Sequence, residues 1–208
     1  IEAIDKTRPI TVGDNNPYGL QQANPTEFRN KVSTVLAKNG EGLAGANYSM
    51  GSMSGIHNAH PDWKIIATET ASPSNSRGIY NTLSQYNKTG DYQCTAYDTN
   101  AVSWGNTARE SWWYTVKDDF VSGEFIWTGF DYIGEPTPWN GTGVGSVSGD
   151  KLAVPNSSYF GVIDTAGFEK DSFYFYTSQW RKDKQTLHIV PQSWNAEDLA
   201  FSGENVPV

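Results

Sequence analysis

Apolar side chains run almost unbroken through four stretches of the chain: residues 10–14 (ITVGD), 43–49 (LAGANYS), 63–69 (WKIIATE) and 123–132 (GEFIWTGFDY). A strand that covers a core with one face alternates apolar and polar residues. A strand without alternation is buried on both faces, as in a parallel sheet. Between these stretches the period changes. Residues 26–37 set Phe28, Val32, Val35 and Leu36 at helical spacing, after Asn24-Pro25-Thr26 and before Asn39-Gly40, which are start and stop signals. Residues 107–120 carry Ala108, Trp112, Tyr114 and Val116 among charges, and residues 171–180 (DSFYFYTSQW) read as an aromatic helix, with a strand as the alternative.

This order of strands and helices predicts α/β architecture with right-handed crossovers. Four strand–helix units are half of an eightfold barrel, and an open doubly wound sheet is the structural alternative. The nucleotide-binding form of that alternative is weakened, because no glycine-rich turn follows a strand. Residues 134–155 form a long Gly-, Pro- and Ser-rich loop of the kind that usually carries function. Past Trp180 a polar break, Lys182-Asp183-Lys184, precedes residues 186–191 (TLHIVP), which read as a new strand. The expected division is residues 1–182 and residues 183–208.

Charge and composition narrow the function. Over 208 residues the net charge is −8, with no Lys/Arg run, a field that repels phosphate backbones and excludes nucleic acid as a partner. Carboxylates do accept hydrogen bonds from hydroxyl-rich neutral substrates. The aromatic share is high, with 8 Trp and 11 Tyr, which fits either a Trp-rich core or surfaces that stack on sugar rings. The one cysteine, Cys94, makes neither a disulfide framework nor a thiolate metal site and reads as a buried apolar residue. His57 and His60 stand three apart without a companion ligand, so they read as a solvated or sugar-facing loop; no metal and no cofactor is expected. There is no apolar run of about 18 residues for a membrane span. The opening IEAIDKTRPI is not a signal peptide, so a periplasmic or secreted bacterial protein would have its leader elsewhere. Esterase chemistry lacks its Gly-x-Ser-x-Gly turn.

One acidic residue is placed for chemistry. Glu69 ends the apolar strand IIAT, where barrel enzymes keep their active sites; its bland alternative is a pair with an arginine such as Arg77. Asn47 and Tyr48 end the preceding strand, and Trp127 lies in the following one. A tyrosine hydroxyl can hold a neighbouring carboxylate ionised and oriented, and an indole can floor a sugar's apolar face. The alternative for both is core packing. Asp131 and Glu135, in FDYIGE, suit binding of hydroxyls or a loop network with arginines and amides. Asp14 closes the first strand as a candidate rim residue.

The blocks TRPITVGDN, GANYS, KIIATETASPSNSRG, GEFIWTGFDYIGEPTPW and SSYFGVIDTAGFEKDSFYFYTSQW occur in that order over residues 1–181. Together they resemble the second half of the catalytic barrel of glycoside hydrolase family 2, in its β-galactosidase branch. The resemblance implies the C-terminal half, strands five to eight, of a (β/α)8 TIM barrel, with the tail opening an immunoglobulin-like β-sandwich. It implies a retaining hydrolase of terminal β-D-galactosides that works through a glycosyl-enzyme intermediate. Glu69 matches the nucleophile, Tyr48 the tyrosine that orients it, and Trp127 the tryptophan lining the sugar subsite; Asn47, Asp131 and Glu135 fall among substrate-binding positions. The family's acid/base glutamate, in an Asn-Glu pair, does not occur in this chain. The resemblance therefore implies a fragment, inactive alone, whose partners are a galactoside or oligosaccharide and the N-terminal half-barrel of the same enzyme; a homo-oligomer is compatible. β-Glucuronidase and β-mannosidase are the nearest rivals, and a noncatalytic carbohydrate-binding module or a scaffold role are the rivals outside catalysis.

Overall fold

The structure, a computed structural model, describes residues 4–5, 7–39, 43–83, 92–137 and 155–190. The chain divides into two compact units, Ile1–Ala71 with Glu110–Ile126, and Ser72–Arg109 with Trp127–Val208.

The first unit is a small α/β layer. Strands β1 (Gly13–Asp14), β2 (Leu43–Asn47), β3 (Lys64–Ala71) and β4 (Val121–Trp127) lie side by side in chain order. β1 with β2 and β2 with β3 pair in parallel, in the registers Gly13 to Gly45 and Ala44 to Ile65. Next to β3, the Ile65 N–H donates to the Phe120 carbonyl and the Thr70 side-chain oxygen lies 3.4 Å from the Phe125 carbonyl, so β3 and β4 also advance together. The expected first strand, residues 10–14, shrinks to two residues. The fourth stops at Trp127 rather than running to residue 132.

Helices α1 (Pro17–Leu20), α2 (Phe28–Asn39), α3 (Met53–Ala59) and α4 (Ala108–Val116) flank the sheet in sequence. α1 starts with proline at its first turn and with the Asn16 side chain accepting from the Gly19 N–H at 3.2 Å. Leu20, Met53, Ile56, Trp63 and Ile65 bury their side chains together with the small strand residues Ala44, Ala46 and Ala67. Three alanines on the sheet let the helix side chains approach closely. Asp14 is fully buried, not on a rim. Its carboxylate accepts from the Asn16 N–H, the Asn30 amide and the Ser33 hydroxyl, which ties the end of β1 to α2.

The loop read for His57 and His60 is also corrected. His57 lies in α3 and its ring stacks on Phe120 at 4.1 Å; His60 is buried at the helix end and stacks on Trp63 at 3.7 Å. Both imidazoles serve as flat packing surfaces.

The second unit is held less by regular strands than by isolated bridges, such as Phe130 with Ile163 and Ile163 with Glu169, and by α5 (Asp171–Trp180). The helix reading of residues 171–180 is the one the chain adopts. The strand expected at residues 186–191 does not form over its described part, residues 186–190. That segment lies along α5 instead: His188 Nε2 sits 2.6 Å from Asp171, its ring stacks on Tyr174, and Val190 packs on Tyr80, Ala96 and Tyr97. Within the long loop, residues 138–154 lie outside the described residues.

Candidate active site

Glu69 owes its orientation to an irregularity in the ladder. From Ile65 to Ala67, β3 alternates buried and half-buried residues in the usual way. The pairing then shifts: Ala46 faces Ala67, but Asn47 faces Glu69, so β3 spends one extra residue, Thr68, at that step. Such a bulge re-aims the side chains after it. Thr68 and Glu69 are consecutively half-buried, while Thr70 is fully buried. Thr70 turns toward the covered side of the sheet, where its hydroxyl donates to Glu124 at 2.8 Å. Without the bulge the two-residue period would have sent the position of Glu69 to the covered side with Ile65 and Ala67.

The backbone around Glu69 is unusual. Tyr48, Ala71 and Ser72 have positive φ, 47°, 64° and 65°, in the left-handed region that L-residues avoid. Tyr92 is the fourth such non-glycine residue among those described. The other three flank Glu69 or bond to it, since the Tyr48 N–H donates to the Glu69 carbonyl at 2.8 Å. Strained residues of this kind gather where geometry is set for function. The sequence thus brings Asn47, Tyr48 and Glu69 together at one strand end. None of the six ion pairs among the described residues uses Glu69. Arg77, its candidate partner, bonds Asp164 at 2.7 Å. A half-buried carboxylate outside any ion pair can accept hydrogen bonds or attack an electrophilic carbon.

In the second unit, Trp127 meets Tyr132 edge to face, with ring centroids 6.0 Å apart. The Tyr132 hydroxyl donates to one oxygen of Glu135 and the buried Thr137 hydroxyl to the other, at 2.7 Å in the latter case. Asp131 is differently occupied. Its Oδ1 accepts from the Gly161 N–H at 2.7 Å and its Oδ2 pairs with Lys170 at 2.6 Å. Gly161 is required there, because a Cβ at this position would lie 2.1 Å from the Asp131 nitrogen. Burial pushes the Asp131 carboxyl upward against the pull of Lys170, and burial likewise pushes the Lys170 ammonium downward against Asp131. Among the described residues no group of three or more His, Cys, Asp or Glu is placed to hold a metal, and no helix is long and apolar enough to cross a membrane.

No family model matches the chain. Over 94% of its length, however, it is 36% identical to the β-galactosidase BoGH2A of Bacteroides ovatus, of which it spans 21%. The chain is a relative of glycoside hydrolase family 2.

Solved structures agree at the level of the fold. A glycosyl hydrolase family 2 member from Bacteroides cellulosilyticus matches 86% of this chain with a TM-score of 0.51 at 23% identity, and the chain covers 17% of it. A Bacteroides uniformis β-glucuronidase matches 93% with a TM-score of 0.54 at 16% identity, and the chain covers 20% of it. The chain thus spans about a fifth of the length of the family 2 relatives it matches. Two residues that shape these arrangements had no signal in the sequence: Lys170 stands among the charges of FEKD, and Thr68 is hidden inside an apolar strand.

Proposed function

We propose that this chain supplies the nucleophile half of a retaining glycosidase acting on terminal β-D-galactosides. The observation that carries the reading is the bulge that turns Glu69 out of the covered side of the sheet, at the end of a parallel strand and outside the ion pairs of the described residues. In this reading the sheet is strands five to eight of a (β/α)8 barrel, residues 1–182 belong to that barrel and residues 183–208 open a β-sandwich. A carboxylate oxygen of Glu69 attacks the anomeric carbon. The glycosidic C–O bond breaks, and the leaving oxygen takes a proton from a glutamic acid of the preceding half-barrel in the same enzyme. Water then attacks the same carbon, gives its proton to that glutamate and releases Glu69, so configuration is retained. Tyr48 orients the nucleophile, Asn47 and Glu135 bind hydroxyls, and Trp127 supplies an apolar platform. Asp131 contributes through the loop it anchors, since its side chain is buried and ion-paired with Lys170.

β-Glucuronidase is the competing specificity within the family. The acidic group at Glu135 and the net charge of −8 favour a neutral sugar over a uronate, because like charges repel. Trapping the complete enzyme with a 2-fluoro-galactoside and mapping the adduct by mass spectrometry tests the assignment. A label on Glu69 is expected, and a label on any other residue rejects it. Faster turnover of the matching glucuronide would reject the galactoside specificity while leaving Glu69 in place.

A further inference from the structure

The open side of the sheet beside Glu69 carries a polar arrangement that no role yet explains. Asn47 is the residue opposite Glu69 across the bulge. Its Oδ1 lies 2.6 Å from the Thr68 hydroxyl. That is the length of an O–H···O bond and shorter than the usual N–H···O range of about 2.7–3.2 Å, so the contacting atom of the amide is its oxygen and Thr68 is the donor. On the other side the amide rests on Gly13, where a Cβ would lie 2.7 Å from Oδ1 and 3.0 Å from Nδ2. Any side chain at position 13 would displace the carboxamide. Held at its oxygen and seated over a glycine, the amide has one orientation. Its NH2 group has no acceptor among the described residues.

We propose that Thr68 and Gly13 are positioning residues that fix the Asn47 carboxamide with its NH2 presented to the ligand, so that Asn47 acts as a donor to one hydroxyl oxygen of the sugar bound at Glu69. The proposal rests on Glu69 being the nucleophile. It adds a polarity: this edge of the site reads a lone pair on the sugar and not a hydroxyl proton. Thr68 reaches the substrate only through Asn47. The bulge makes this geometry available, because the extra residue it inserts is Thr68 itself, which stands on the same side as Glu69 and next to Asn47.

The test is a variant series in the complete enzyme, assayed on an aryl β-galactoside. T68V keeps the shape and loses the donor; it is expected to lower kcat/KM about tenfold, the size of one hydrogen bond, with the melting temperature little changed. T68S keeps the hydroxyl and is expected to stay within about threefold of the parent, a rescue that a packing role would not give. Among monodeoxy galactosides, one is expected on which T68V costs nothing further, because its partner oxygen is already gone. Parental kinetics in T68V, equal losses in T68V and T68S, or additive losses on every deoxy sugar would each overturn the proposal. E69Q keeps the two ideas apart. If E69Q is inactive while T68V is normal, only the role of Thr68 falls; if E69Q keeps the parental rate, the nucleophile reading falls with it.

Discussion

Lys170 and Asp131 form an ion pair of 2.6 Å with side chains only 2% and 8% exposed. The same ammonium donates to the carbonyls of Asn75 and Tyr159 at 2.7 and 3.3 Å. One lysine thereby joins three loop segments that have few regular backbone bonds of their own, and the segment of Asp131 leads directly into Tyr132 and Glu135. Removing one member of a buried pair leaves the other charged and unpaired, which costs about 3–5 kcal/mol. Lys170→Met is expected to destabilise by that amount in urea titrations. The double variant Lys170→Met with Asp131→Leu is expected to recover most of it. A single variant as stable as the parent would show the pair to be dispensable.

Glu124 gives a pH dependence. It lies beneath β3 with Thr70 donating to it and with Oε1 buried without a hydrogen-bond partner among the described residues, and burial raises its carboxyl above the ordinary range while the hydroxyls of Thr70 and Thr115 pull it down. The folded chain therefore keeps this proton to higher pH than the unfolded chain does. The stabilisation is full below the unfolded carboxyl value, about pH 4.3, and is lost as pH rises through the folded value. Glu124→Gln mimics the protonated form. Thermal melts are expected to show the variant gaining on the parent as pH rises from about 4 to 7; a constant difference across that window would reject the account.

Cys94 is buried, and burial pushes its thiol up to about 12 despite the nearby Lys170. The thiolate is the reactive form. Labelling by a disulfide reagent at pH 8 is expected to be slow in the folded chain and fast in urea, tracking unfolding. Rapid labelling of the folded chain would contradict this burial.

Ile65 is fully buried at the centre of the first unit's core. Ile65→Ala should cost roughly 2–5 kcal/mol. Ile66→Ala, one position on and half-buried, should cost clearly less in the same denaturation experiment. Equal costs would mean that the two sides of β3 are misassigned.

Much of this architecture was legible in the residues. β2, β3 and β4 overlap the continuous apolar runs, and α5 coincides with DSFYFYTSQW, because strand formation and aromatic packing leave a plain mark on composition. Other features left none. β1 shortens because only Gly13 and Asp14 meet β2 in register. α3 was hidden because Gly, Asn and His are weak helix formers, although Met53 and Ile56 stand one turn apart on its buried side. The bulge is invisible in IIATET, where an extra residue changes register without changing composition. His60 misleads and Lys170 passes unnoticed for a common reason: sequence shows that a side chain is polar, but burial depends on partners distant in the chain.

The displaced register at Thr68 bears on how this strand can vary. Exchanging one apolar residue for another between Ile65 and Ala67 alters volume, which neighbours can partly absorb. Deleting or adding a single residue there would rotate Glu69 through half a turn, from the open surface into the alanines and helices behind it. For this segment, spacing is under tighter constraint than chemistry. A library of substitutions should return many folded, competent sequences, and a library of one-residue length changes almost none.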